Sequence, residues 1–434
     1  MQKLSTCLLV LVIFISACKK GTQSPLAGNG TSGNTPIVLP DSVIVVSGAI
    51  ATGGTSIQLI NAATGLAITT YNFAADPKAF STTPFVGNNF LYDVANDKIN
   101  AINITTGSVL WTDSVKNFVS SAVLSTAPLV ILHADTFYGL FLTNSTTNSY
   151  SLCAIDATKQ SNAAIWANPI TTNGSQSTVT YYNGIVYVSS PGYSVSSVQA
   201  KLSAYDAKTG ILKWAANNSA NFSMASVNNG FITVGNTVLD ANTGNVIATV
   251  NVPVISPGIS QSSAVALATA DKYFTTANIT GPNPYFVSMF TAGSQVVRWT
   301  SGLDSVKIGY TNYNLSVKQV LNNELLTQTQ TIVTVSAAGS SFGYSYTALD
   351  INSGKTLWTY NAGVQLYGLV VNNILYVYGA NAGTGTTAII ASTFPPALSA
   401  VDMRTGKQLW LNSNVAGSNF CMSISGKGYS SLIQ

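Results

Sequence analysis

Along this chain an Asp-initiated turn closes on Gly and delivers a Trp four residues later, again and again. Its plainest form runs from Asp402 through Met403, Arg404, Thr405 and Gly406 to Trp410. Upstream, Leu398, Ala400 and Asp402 alternate with Ser399 and Val401, the period of two expected of a strand. The Asp side chain can accept from backbone N–H groups two residues on, and Gly supplies a positive φ without steric cost. Trp410 then offers a large apolar face to whatever packs beside it.

The same spacing joins Asp206 and Gly210 to Trp214, Asp350 and Gly354 to Trp358, and Asn103 and Gly107 to Trp111. Asn61 to Gly65 and Asp240 to Gly244 keep the turn but carry Thr69 and Ala248 in the Trp position. Asp156 opens a longer turn that reaches Trp166, and a degenerate copy, Phe290 to Gly293, still arrives at Trp299. All six Trp of the chain therefore end copies of one unit, and the copies number eight.

A second turn signal precedes most copies. Gly87-Asn88-Asn89, Asn183-Gly184, Asn228-Asn229-Gly230, Asn322-Asn323 and Asn372-Asn373 each stand before a short apolar run. Asn-Gly and similar pairs favour the primed turns of two-residue hairpins. Each unit thus reads as a four-stranded antiparallel meander, A-B-C-D, with an Asn-based A–B turn and an Asp-to-Gly C–D turn. Repeats of this kind predict an all-β chain: an eight-bladed β-propeller of four-stranded antiparallel blades, with seven blades as the alternative if the copy at Phe290 is an insertion. The segment Val43 to Val46 reads as a B strand without an A strand, and Phe420 to Ser425 as an A strand without a turn motif after it. Pairing them closes the ring from both chain ends and removes an open edge. The segment Tyr429 to Ile433 competes as another B strand, and the pattern does not place both.

Only 7% of residues are charged and the net charge is +4, drawn from scattered Lys, so nucleic acid is not an expected partner. Residues 1–17 have the make-up of an export signal: Lys3, then an apolar run from Cys7 to Ile15 too short for a membrane span. Residues 18–40, rich in Gly, Ser, Thr, Asn and Pro, read as a tether, and 41–434 as the propeller.

Two resemblances follow. Ile15-Ser16-Ala17-Cys18 resembles the lipobox of bacterial lipoproteins, which implies cleavage before Cys18 and a lipid on that residue. Some members of that family carry an inner-membrane retention Asp where Lys19 stands, so the resemblance implies the outer membrane of a Gram-negative bacterium. The Asp-to-Gly-to-Trp repeat resembles the PQQ-like β-propeller repeats of quinoproteins. One branch of that family binds pyrroloquinoline quinone and Ca²⁺. Another, including the propeller lipoprotein of the outer-membrane β-barrel assembly machinery, is non-catalytic and binds protein partners.

The residues fit the enzyme branch poorly. Its members typically hold adjacent Cys pairs at the cofactor, whereas Cys153 and Cys421 fall in different repeats, where both are expected to be buried free thiols. The lone Glu324 adjoins an Asn turn, and Asp156, Asp206, Asp240, Asp350 and Asp402 are consumed by turns. No catalytic residue, cofactor or metal site is expected. The only His, His133, lies in an apolar strand and is expected to be buried and hydrogen-bonded; Asp135, two residues on, is expected on the same face. Gly383 to Ala388 imitates a dinucleotide fingerprint but opens no helix.

The long B–C connections (189–199, 335–343 and 379–397) and the D–A connection 301–315 share the face opposite the tight turns. They carry Tyr193, Tyr310, Tyr313, Phe342, Tyr344 and Phe394, the residue types that favour protein interfaces and stack on sugars. The expected role is a protein-binding envelope scaffold, with a glycan or small ligand as the alternative and a quinoprotein dehydrogenase as the weakest reading.

Overall fold

The computed structural model describes residues 39–40, 42–49, 55–73, 85–87, 90–95, 98–115, 129–144, 149–160, 164–171, 177–190, 200–218, 226–250, 259–279, 285–291, 297–303, 310–335, 339–380, 396–415, 419–424 and 427–430. Its strands, in chain order, form eight antiparallel blades. Blade 1 takes β1 (Ser42–Ala49), β2 (Thr55–Asn61) and β3 (Ala67–Phe73) from the start of the chain. Blade 2 is β4 (Phe85–Val86), β5 (Phe90–Ala95), β6 (Lys98–Asn103) and β7 (Val109–Ser114). Blade 3 is β8 (Leu129–His133), β9 (Thr136–Asn144), β10 (Ser149–Asp156) and β11 (Trp166–Thr171). Blade 4 is β12 (Thr178–Tyr182), β13 (Ile185–Ser190), β14 (Ala200–Asp206) and β15 (Leu212–Asn218). Blade 5, the smallest, is β16 (Ser226–Asn228), β17 (Phe231–Val234), β18 (Thr237–Asp240) and β19 (Val246–Thr249).

Blade 6 is β20 (Ile259–Ala268), β21 (Lys272–Ile279), β22 (Tyr285–Thr291) and β23 (Val297–Leu303), so the degenerate copy at Phe290 is a full blade and the count is eight. Blade 7 begins with β24 (Tyr310–Leu321), β25 (Glu324–Val335) and β26 (Gly339–Asp350). The long strand β27 (Thr356–Val371) pairs with β26 through its first half and, through its second, with β28 (Ile374–Ala380) of blade 8. One strand thus serves as the outer strand of blade 7 and the inner strand of blade 8. Blade 8 ends with β29 (Pro396–Asp402) and β30 (Gln408–Asn412).

The chain ends meet as expected. Strand β31 (Asn419–Ile424) pairs with β1, from Ser42 opposite Ile424 to Ser47 opposite Asn419. The competing segment is resolved differently: β32 (Lys427–Ser430) pairs with the free edge of β31 and adds a fifth strand to blade 1. It lies beside β4 and β8, the inner strands of blades 2 and 3, and therefore inside the ring.

The core is divided among the blade junctions. Among the described residues eight buried apolar clusters form, and each joins two successive blades, including blade 8 to blade 1. The run Val43 to Val46 of strand β1 is apolar at every position for a structural reason. Ile44 and Val46 pack toward blade 8, while Val43 and Val45 pack toward blade 2. A strand covered on both faces needs apolar residues at every position, so alternation disappears.

Candidate functional site

The repeat residues build two structures at once. In the C–D turn of blade 4, Asp206 Oδ1 accepts from the N–H groups of Lys208 (3.1 Å) and Thr209 (2.9 Å) and from the Thr209 hydroxyl (2.8 Å). The Gly210 N–H donates to the Asp206 carbonyl at 2.8 Å, and Gly210 has φ of +72°. Asp350 and Gly354, and Asp402 and Gly406, repeat this closure at 2.8 Å. The bonds from Thr209, Ser353 and Arg404 hold the pKa values of Asp206, Asp350 and Asp402 below the ordinary carboxylate value.

The second structure joins blades. Each turn Gly faces an aromatic ring of the preceding blade: Gly210 meets Trp166, Gly244 meets Trp214, Gly354 meets Trp299, Gly406 meets Trp358 and Gly65 meets Trp410. The indole N–H also donates to the carbonyl that follows the turn's first residue. Trp166 reaches Ala207 (3.0 Å), Trp214 reaches Ala241 (3.1 Å), Trp299 reaches Ile351 (3.1 Å), Trp358 reaches Met403 (2.6 Å) and Trp410 reaches Ala62 (3.0 Å). Trp111 is buried in the cluster between blades 2 and 3. Thr69 leaves blade 1 without a Trp, and Tyr71, two residues later, takes its place. Its ring covers Gly107 and its hydroxyl donates to the Ile104 carbonyl at 3.1 Å. An aromatic two residues beyond the vacant position was the available signal in the sequence.

The A–B and C–D turns share one face and bond to each other: the N–H groups of Ala157, Ala207, Ala241, Ile351 and Met403 donate to A–B turn carbonyls of their own blades at 2.8–2.9 Å. On this face the expectation for His133 and Asp135 is corrected. His133 is exposed, not buried, and its ring stacks on Tyr181 of blade 4 with centroids 3.8 Å apart. Covering of that ring face lowers its pKa. Asp135 instead turns to blade 2, where Tyr92 donates to its Oδ1 at 3.4 Å and Gly87 leaves room for the carboxylate. The cause is the A–B turn itself. Ala134 and Asp135 take φ of +45° and +61°, so the chain reverses between the two side chains. The pair does not form an acid–base unit.

Of the expected partner-binding residues, Tyr310, Tyr313, Phe342 and Tyr344 are described. Cys18, Tyr193 and Phe394 lie outside the described residues, as does the stretch Gly383 to Ala388. Two of the expected long loops are largely strand. Tyr310 and Tyr313 lie on β24, opposite Val333 and Thr331, while Phe342 and Tyr344 lie on β26, opposite Ile332 and Gln330. Strands β24, β25 and β26 each have 12 residues, against 4 for β17, β18 and β19 of blade 5. Since all blades are registered by their tight turns, the surplus length of blade 7 extends on the long-loop face. The segment 335–343 reads as loop, but its Val and Ser residues also fit an extended ladder.

Within the ring, Lys318 sits at an irregularity of the inner strand β24 between Val317 and Gln319, and desolvation lowers its pKa to about 8. Glu324, at the A–B turn of blade 7, is raised by burial and by the charge of Asp402. Cys153 is a buried free thiol in blade 3, pushed up to about 12 by burial, whereas Cys421 is on β31 of blade 1. Among the described residues no three His, Cys, Asp or Glu side chains converge on a metal position.

The chain matches no family model and no curated protein. Among solved structures it is similar to apo AztD from Citrobacter koseri, at 11% identity over 90% of this chain and 99% of that one, with a TM-score of 0.48. It is similar to dihydro-heme d1 dehydrogenase NirN in complex with DHE, at 9% identity over 94% and 76%, TM-score 0.49. A europium-containing methanol dehydrogenase is a third, at 13% identity over 89% and 81%, TM-score 0.39. Likeness at this level carries no argument about activity. The eight-bladed propeller is established by the strand pairing of this chain itself.

Proposed function

We propose that this chain is a lipid-anchored, PQQ-like propeller of the outer membrane that acts as a protein-binding scaffold without catalysis of its own, serving assembly in the cell envelope. The lipobox at Cys18 and the segment 19–40 support the anchoring. The observation that carries the scaffold reading is the elongation of blade 7: three 12-residue strands extend the sheet on the long-loop face and bring Tyr310, Tyr313, Phe342 and Tyr344 into one sheet. Rigid strands present aromatic residues to a protein partner at lower ordering cost than loops do. The recurring Asp carboxylates, by contrast, are occupied by their own turn N–H groups.

The test is cross-linking of the membrane-anchored chain followed by capture, comparing wild type with a Tyr313→Ala, Phe342→Ala double variant. A reproducible envelope protein captured by wild type and lost from the variant supports the reading. An equal yield from both sinks it. The aromatic content of this sheet also supports a glycan-binding reading, which a glycan array with the same two proteins distinguishes.

A further inference from the structure

The tight-turn face has a property that the scaffold reading does not use. Among the described residues, aliphatic side chains stand exposed at or beside the start of the outer strand in six of the eight blades: Leu66 (69%), Ile165, Ile211 (67%), Val246, Leu357 and Leu409. Single exposed aliphatic residues are ordinary. Recurrence close to the tight turn in blade after blade is not. Leu66 and Ile211 directly follow the turn Gly, Ile165 directly precedes Trp166, and Val246, Leu357 and Leu409 lie within three residues of theirs. At about 3.3 Å per residue all six fall within about 10 Å of that face. Lys213, Lys355 and Lys407 are exposed two residues from Ile211, Leu357 and Leu409.

Two facts select the occupant. The six residues are spread around the ring, so a peptide or a small domain touches one or two of them, while a flat apolar–polar boundary meets them together. The chain also enters the ring here: Ser42, the first residue of β1, accepts from the Ala62 N–H beside the C–D turn of blade 1 at 3.2 Å. The Cys of the lipobox is 24 residues upstream of Ser42, the residue at which β1 begins beside this face. We infer that the tight-turn face is a lipid-docking face, whose aliphatic rim enters the interfacial layer of the membrane while the Lys side chains meet anionic headgroups. The inference deepens the lipoprotein reading and rests on it for the direction of approach. It fixes an orientation: the extended blade 7 points away from the bilayer.

The Trp residues supply the probe, since Trp166, Trp214, Trp358 and Trp410 stand on the outer strands that carry or follow Ile165, Ile211, Leu357 and Leu409. The full chain, matured in a bacterial envelope and purified, is added to vesicles of phosphatidylethanolamine and phosphatidylglycerol with or without brominated acyl chains. Wild type is expected to lose Trp emission on the brominated vesicles. A variant carrying Ile211→Ser, Leu357→Ser and Leu409→Ser is expected to lose most of that quenching with an unchanged melting curve. Acylation of Cys18 is read separately, from the mass of the mature N-terminal peptide. An acylated chain without quenching overturns the docking face and leaves the lipoprotein reading standing. Quenching without acylation does the reverse. Quenching equal in wild type and variant also overturns the rim, and a doubled particle mass without quenching assigns it to a second copy of the chain.

Discussion

His133 and Asp135 show how much a single turn decides. Two residues apart on a strand, they share a face; placed across a reversal at Ala134 and Asp135, they face different blades. The sequence carries no Gly or Asn at this turn, so the positive φ values there were not legible, although the equivalent turns at Asn183-Gly184 and Asn372-Asn373 were. The consequence is measurable, because His133 is the only His of the chain. Its imidazole resonances are expected to titrate below the ordinary midpoint of about 6.5, and Tyr181→Ala to move the midpoint back up toward it. The lowered folded-state pKa means that the unfolded chain binds the proton more tightly. The associated stability is present above about pH 6.5 and declines as pH falls through that value toward the folded-state midpoint. A midpoint at or above the ordinary value would remove the stacked arrangement.

At the scale of the element, the repeat was legible because one short phrase must satisfy two demands at once. The turn needs Asp or Asn and a Gly with positive φ, and the next ring needs that same Gly bare. The demands separate by substitution. Gly184 has φ of +77° and nothing within 4 Å of the space a Cβ would fill. Gly65 has φ of +72°, but a Cβ there would stand 2.5 Å from the Trp410 ring. Gly184→Ala is expected to cost about 1 kcal/mol, the backbone penalty alone. Gly65→Ala adds displacement of the indole and is expected to approach the cost of Trp410→Ala, about 3 kcal/mol for a half-buried Trp. In a Trp410→Ala background Gly65→Ala should fall back to about 1 kcal/mol, since the residues share one contact. Strictly additive losses in chemical denaturation would refute the docking. What the repeat could not show was its exceptions. Tyr71 does the work of a Trp from another position, and β27 crosses from blade 7 to blade 8 without a break.

At the scale of the molecule, the ring is closed by strands far apart in sequence, and the two candidate strands at the C-terminus have unequal roles. The apolar pattern identified both, but periodicity has no means of saying which edge a strand will join. The pairing does. Strand β31 covers six residues of β1, from Ser42 to Ser47, while β32 pairs only with β31. A chain ending at residue 426 keeps β31 and the eight apolar junctions, and its melting temperature is expected to change little. A chain ending at residue 418 leaves the inner edge of β1 without its ladder. At about 1 kcal/mol net for each of some five lost backbone bonds, the loss is on the order of 5 kcal/mol. The bared edge is then also a template for pairing with other chains. The shorter chain is therefore expected to melt lower, and to aggregate on heating where the longer one does not. Light scattering during the melt reads both effects, and equal behaviour of the two truncations would place the closing strand elsewhere. The Trp410 contact with Ala62 survives either truncation, because it joins the outer strand of blade 8 to the C–D turn of blade 1. The ring is held shut by two independent fasteners: an inner one made of backbone pairing and an outer one made of the repeat.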